Sequence, residues 1–315
     1  MQQPILDALR RGAHDDALTL AREAVAAKPD DPQAHQLLAM AQRADGAHGD
    51  ALDSIERAIA LSPEDAHLHF HRAGYLLGRR DIGAARSSLE TTIRLDPNQF
   101  GAYVLQAQLA LGRNDLDDAE RIARLAARID PEHHWLKALQ GMVALRRGDP
   151  DTALAVIGQA ALTAPDDPQV RYALGLAYLA KGHFAFAEQA FRGVLEAVPG
   201  ARMTHVLIAG ALQQQGRMEE AADALQPVLD GATATPALHR YAGELELVAG
   251  RPAAAMHHLR TAFDASPLDL RTLDGLCTLW HRGSDVDEAC TVLDAALLRE
   301  PGFEPLWRAR LAFEP

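Results

Sequence analysis

Fourteen histidines and two cysteines are the side chains with the most chemistry to offer. The densest run is HLHFHR, with His67, His69 and His71. On a helix, His67 and His71 share a face at i, i+4, a spacing at which two imidazoles can grip one metal ion. No acid or cysteine completes a ligand set beside them, as H-E-x-x-H would. These rings are therefore expected to be solvated or packed, with no metal bound. His133-His134 and His257-His258 are adjacent pairs whose rings leave a helix on different faces, so they are poorer ligand pairs still. Cys277 and Cys290 stand alone in a Cys-poor chain, which predicts two reduced, buried thiols rather than a secreted disulfide framework. A Gly-rich phosphate loop, a G-x-S-x-G elbow and a zinc spacing of Cys and His are all missing. The chain is expected to be non-catalytic, with no cofactor.

The elements that would hold these residues come from a repeat. Alanine recurs every 34 residues at 17, 51, 85, 119, 153, 187, 221, 255 and 289. Proline recurs at 29, 63, 97, 131, 165, 199, 267 and 301, and only the slot at Thr233 lacks it. Self-similarity at such a period means a stack of one supersecondary unit. A second small residue recurs at Ala39, Ala73, Ala107, Gly141, Gly175, Ala209, Gly243 and Cys277. Small side chains on both helices of a pair let the two axes approach closely. Gly12, Gly46, Gly148, Gly182, Gly216 and Gly250 fall where a left-handed residue would close the first helix, and the prolines stop the second. Asp15-Asp16, Asp117-Asp118, Glu219-Glu220 and Asp287-Glu288 open second helices, while Arg10-Arg11, Arg79-Arg80 and Arg146-Arg147 close first ones. Each complements the helix dipole, so most charge clusters have a structural explanation.

One stretch carries the whole pattern: Arg171-x2-Leu174-Gly175-x2-Tyr178, then Ala187-x3-Phe191, then Pro199. It resembles the tetratricopeptide repeat (TPR) pattern W-x2-L-G-x2-Y, A-x3-F, P, with only the leading Trp absent. The resemblance implies an all-α fold, a right-handed superhelical solenoid of antiparallel helix pairs. It covers repeats at 1–31, 32–65, 66–99, 100–133, 134–167, 168–201, 202–235, 236–269 and 270–303. A further first helix at 304–315 carries Trp307 in the Trp slot, and either caps the array or opens a tenth repeat. Because each repeat touches only its neighbours, residues 1–315 are expected to form a single continuous domain. The seventh repeat is irregular, with Pro227 inside its second helix, and a break is expected there.

In such arrays the first helices line the concave surface where partners bind. Numbering each repeat from its first residue, slots 4, 7, 8 and 11 of the first helix are expected to face the core. Slots 2, 5, 9 and 12 form the neighbouring strip. In repeats three to six that strip is apolar where a solvated one would be polar. It reads Phe70, Gly74, Leu77, Val104, Leu111, Trp135, Ala138, Met142, Leu145, Tyr172, Leu176 and Leu179, and Met203 and Val206 extend it. Further on it turns polar, with Arg240, Glu244, Arg271, Asp274, His281 and Arg282. Two outcomes stay open: an apolar groove for a partner, or a strip buried between neighbouring first helices.

Two binding modes implied by the resemblance lack their residues. No adjacent repeats present the Lys, Asn and Arg of a carboxylate clamp. Asn98 and Asn114 do not form an asparagine ladder like that of the O-GlcNAc transferase superhelix. What remains is a scaffold that captures an apolar peptide or helix of a protein partner. The alternative is the substrate-recruiting N-terminal part of a larger glycosyltransferase, sulfotransferase or hydroxylase. Self-association through residues 304–315, with Trp307 and Leu311 inserted into another copy, is a third reading. The net charge of −12 argues against nucleic acid and anionic membranes, which need a basic footprint. With no transmembrane run and no signal-like N-terminus, the expected location is cytoplasmic.

Overall fold

The computed structural model describes residues 2–230, 234–283 and 286–313. Among them every regular element is a helix. The chain divides into two compact units, Met1–Arg147 and Gly148–Pro315. The first holds α1 (Gln2–Arg10), α2 (His14–Ala27), α3 (Pro32–Ala44), α4 (His48–Leu61), α5 (Ala66–Gly78), α6 (Ile82–Leu95), α7 (Phe100–Gly112), α8 (Leu116–Ala126) and α9 (His134–Arg146). The second holds α10 (Pro150–Thr163), α11 (Pro168–Ala180), α12 (Phe184–Ala197), α13 (Arg202–Gln214), α14 (Met218–Asp223), α15 (Gln226–Leu229), α16 (Pro236–Val248), α17 (Pro252–Ala265), α18 (Leu270–Gly283), α19 (Val286–Arg299) and α20 (Glu304–Leu311).

Helix boundaries follow local chemistry. Asp31, Asp65 and Asp167 cap first helices by accepting from the amides of Gln33, His67 and Gln169. Asp81, Asp115 and Asp149 do the same for second helices. Each cap satisfies an orphan amide and is worth about 0.5–2 kcal/mol. First helices end in a left-handed residue. Gly12 has φ +72 there, with Gly12 N–H on the Leu9 carbonyl and Ala13 N–H on that of Ala8, a Schellman closure. In the third and fourth repeats Arg80 and Asn114 take this slot at φ 62 and 58. Without glycine, the closure holds because the same two carbonyls are still capped: Asp81 N–H reaches Leu76 and Asp115 N–H reaches Ala110.

The recurring alanines explain the pairing. All nine, from Ala17 to Ala289, are fully buried. Opposite the first-helix small slot stands one large side chain of the second helix. In the sixth repeat a Cβ on Gly175 would lie 2.5 Å from Phe191 Cε1, and in the eighth a Cβ on Gly243 would lie 2.6 Å from Leu259 Cγ. Space at these contacts is used up, as in a close-packed core.

First helices bury more than the sequence periodicity suggests. Slots 3 and 10 are buried in nearly every repeat, as at Ala34 and Ala41, Leu68 and Tyr75, Val170 and Ala177, and Leu306 and Phe313. Leu68 and Tyr75 join the core formed by Ala51, Ile55 and Ala58 of the preceding α4. A first helix is thus wedged between two second helices, and two of its faces are core. A single amphipathic stripe, as slots 4, 7, 8 and 11 imply, describes only one of them.

The expected break in the seventh repeat is present. Its second helix is split into α14 and α15 around Ala224 and Leu225. Pro227 has no N–H to give the Asp223 carbonyl, so the ladder stops there. The repeat's missing proline slot, Thr233, lies outside the described residues. A second irregularity, not expected, is the early end of α8 at Ala126, followed by a turn through 127–129.

Candidate binding surface

The strip falls into two parts. In the first unit Phe70, Leu77, Val104, Met142 and Leu145 are half-buried. Phe70 lies against the next first helix, where a Cβ on Gly101 would stand 3.1 Å from its Cζ. The glycine lets the ring lie flat and removes part of it from solvent. Gly74 is open, with nothing within 4 Å of where a Cβ would be.

Two strip positions need correction. Leu111 and Trp135 are core residues, 7% and 2% exposed, in one cluster with Tyr103, Ala107 and Leu139. The Trp135 ring meets Phe100 edge-on at 5.8 Å, and its indole N–H is buried without a hydrogen-bond partner. Slot 2 begins a helix, and the imidazole of His133 caps it by accepting from the Trp135 amide at 3.2 Å. That places the indole beneath the entry turn rather than on the strip. Ala138 is buried for the same reason of depth.

In the second unit Tyr172, Leu176, Leu179 and Val206 are half-buried and pack on the core around Phe191 and Leu212. Met203, one turn before Val206 on α13, is 61% exposed, and Gly210 leaves open space. The polar continuation begins with Arg240, which pairs with Glu244 at 2.7 Å and with Asp269 at 2.9 Å.

Slot 4, the family's Trp position, has a role besides the core one expected of it, which Tyr103 and Leu273 do fill. In five repeats its side chain hydrogen-bonds the proline carbonyl six residues earlier. His35 meets Pro29 at 2.7 Å, His69 meets Pro63 at 2.9 Å, Tyr103 donates to Pro97 at 3.0 Å, Arg171 to Pro165 at 2.8 Å and Trp307 to Pro301 at 2.9 Å. Four residue types do one job: a long side chain with an N–H or O–H ties the first turn of a helix to the turn before it. This explains how repeats without the Trp keep the fold, and it accounts for two of the histidines.

His71 is held below the ordinary imidazole range by burial, then by Arg43 and His67. Among the described residues no group of three His, Cys, Asp or Glu could hold a metal. Cys277 and Cys290 are free and half-buried, and burial pushes the Cys277 thiol up to about 11. Glu188, almost fully buried, pairs with Arg192 and with Arg217. No described helix is long and apolar enough to cross a membrane.

Sequence reasoning also missed a cleft of about 620 Å³ among α10, α11 and α12, lined by Leu174, Tyr178 and Phe186. Phe186 is exposed, and its ring lies tilted against that of Tyr178 with centroids 5.3 Å apart. An aromatic at this second-helix position was the available signal.

The comparisons with known proteins agree with this geometry. The tetratricopeptide repeat profile matches residues 5–66, 72–134 and 139–202, more than half of the chain. No curated protein matches the sequence. Among solved structures, the human IFIT1 dimer with m7Gppp-AAAA is similar, at a TM-score of 0.67 and 16% identity over 98% of this chain and 80% of that one. The APC/C hetero-tetramer Cut9-Hcn1 is similar at 0.63 and 20% identity over 84% of this chain, which spans 52% of that one. The type IV pilus biogenesis factor PilW gives 0.54 and 18% identity over 67% of this chain and 98% of its own. Likeness at these identities concerns the fold. Paired helices in a 34-residue register, closed and packed as above, and the matching profile show that the chain belongs to the tetratricopeptide repeat family.

Proposed function

We propose that this protein is a non-catalytic interaction scaffold that captures an apolar peptide or helix of a protein partner on its first-helix strip. The observation that carries this is the patch in the second unit. Met203 is exposed one turn before half-buried Val206 on α13, with half-buried Tyr172, Leu176 and Leu179 on the preceding first helix and open space over Gly210. Apolar and aromatic side chains at i, i+4 spacing suit a helix or extended segment laid along them, and Met adapts to varied partners. In the first unit Phe70, Leu77, Val104, Met142 and Leu145 would add a second patch of the same kind. The net charge of −12 favours a protein partner over a nucleic acid.

Selection from a random peptide display library on the immobilised chain tests this. Enriched peptides should carry apolar residues at i, i+3 or i+4. Met203→Glu should abolish their binding while leaving the melting curve unchanged, because Met203 is mostly in solvent. Failure to enrich any peptide, or enrichment indifferent to Met203→Glu and to Val104→Glu, would refute the reading.

A further inference from the structure

The junction between the seventh and eighth repeats departs from the others in its sequence. In the eighth repeat the slot-4 residue is His239, in the first turn of α16. The residue six positions earlier is Thr233 instead of proline. His239 meets the second helix of its own repeat, where its Nδ1 stands 3.2 Å from Nδ1 of His258 on α17. In the seventh repeat the slot-4 His205 likewise has its Nδ1 3.2 Å from the Ala224 carbonyl at the break between α14 and α15. Two successive slot-4 imidazoles thus meet the second-helix segment of their own repeat, beside the helix that Pro227 interrupts.

We propose that the His239–His258 contact is an acid-sensitive latch on the first turn of α16. The geometry demands this chemistry. At 3.2 Å between two Nδ1 atoms, one ring donates its N–H and the other offers a lone pair. A pair with at most one added proton keeps the bond. A pair with two has two donors facing each other and two like charges in a half-buried site. His258 is 7% exposed, so solvent does little to relieve that repulsion. From α17, His257 faces both rings and adds to it, and from the end of α15 the Asp230 carboxylate opposes it at His258. Burial, then the neighbouring imidazoles, holds both rings below the ordinary imidazole range. The latch is therefore closed at neutral pH and opens below it. Opening frees the turn that carries Arg240, the first polar residue of the strip.

The test is amide hydrogen exchange by mass spectrometry on the full chain at pH 7.5 and 4.5, corrected for intrinsic rates. Residues 236–243 of α16 are compared with 168–175 of α11, where Arg171 makes the usual tie. Protection of 236–243 relative to 168–175 should fall at least tenfold on acidification, and His258→Gln should remove the pH dependence. A ratio that does not move with pH in the wild type overturns the latch, even if the variant fails to fold. An equal movement in wild type and a folded His258→Gln overturns it as well.

Discussion

Gly175→Ala probes the helix-pair contact on which every repeat depends. The added Cβ would lie 2.5, 2.7 and 2.8 Å from three atoms of the Phe191 ring, which is fully buried. A rigid ring has no flexible end to swing away, so the helices must separate. Overpacking of this kind costs about 1–3 kcal/mol, while replacing a mid-helix glycine with alanine returns about 1 kcal/mol. With three ring atoms under 3.0 Å the upper half of the first range applies, and the net loss should be about 1–2 kcal/mol. Gly74→Ala is the control, since its Cβ meets nothing within 4 Å. It should gain roughly 0.5–1 kcal/mol from propensity alone. The third and seventh repeats fill the same pair of slots with Ala73 and Leu89, and with Ala209 and Leu225, all buried. Gly175→Ala combined with Phe191→Leu rebuilds that pair, so the double variant should show favourable coupling of about 1 kcal/mol or more. Urea unfolding followed by far-ultraviolet circular dichroism reads wild type, the Gly175→Ala and Phe191→Leu single variants, the double variant and the Gly74→Ala control. A Gly175→Ala chain as stable as wild type, or no coupling with Phe191→Leu, would refute the packing argument.

Other outcomes follow from the same geometry. Tyr103→Phe removes the hydroxyl bond to the Pro97 carbonyl and should cost about 0.5–1.5 kcal/mol in urea unfolding. A loss of zero would mean that the slot-4 tie adds nothing to the fold. Cys277, with its thiol pushed up to about 11 by burial and Asp274, should react with a disulfide reagent at pH 8 roughly a hundredfold more slowly than an ordinary thiol. The rate should become ordinary in denaturant. For the latch pair the sign is that of a histidine depressed by folding. Its contribution is complete above the ordinary imidazole value and declines as pH falls below it.

The repeat was legible in the sequence because its cause is local and periodic. Two small slots, a left-handed turn and a helix-stopping proline each need a particular residue type at a particular offset, and together they specify helix pairs at 34-residue intervals. Pro227 announced its own helix break for the same reason. The candidate surface was less legible. Phe70, Leu77, Val104 and Met203 hold the half-buried or exposed positions that the strip implied, whereas Leu111 and Trp135 are core. Periodicity along one helix reports which residues share a face but says nothing of what covers that face. Where a first helix has a second helix on either side, as α5 has α4 and α6, slots 3 and 10 are buried as deeply as slot 8. Tertiary structure alone decided which donors meet which acceptors. Tyr103 from within the core and Trp307 from an exposed position both tie turns together. His239 and His258, 19 residues apart, become partners because one helix of a pair brings the first turn of the other within 3.2 Å. That contact depends on three-dimensional packing between helices, which no spacing in the chain encodes.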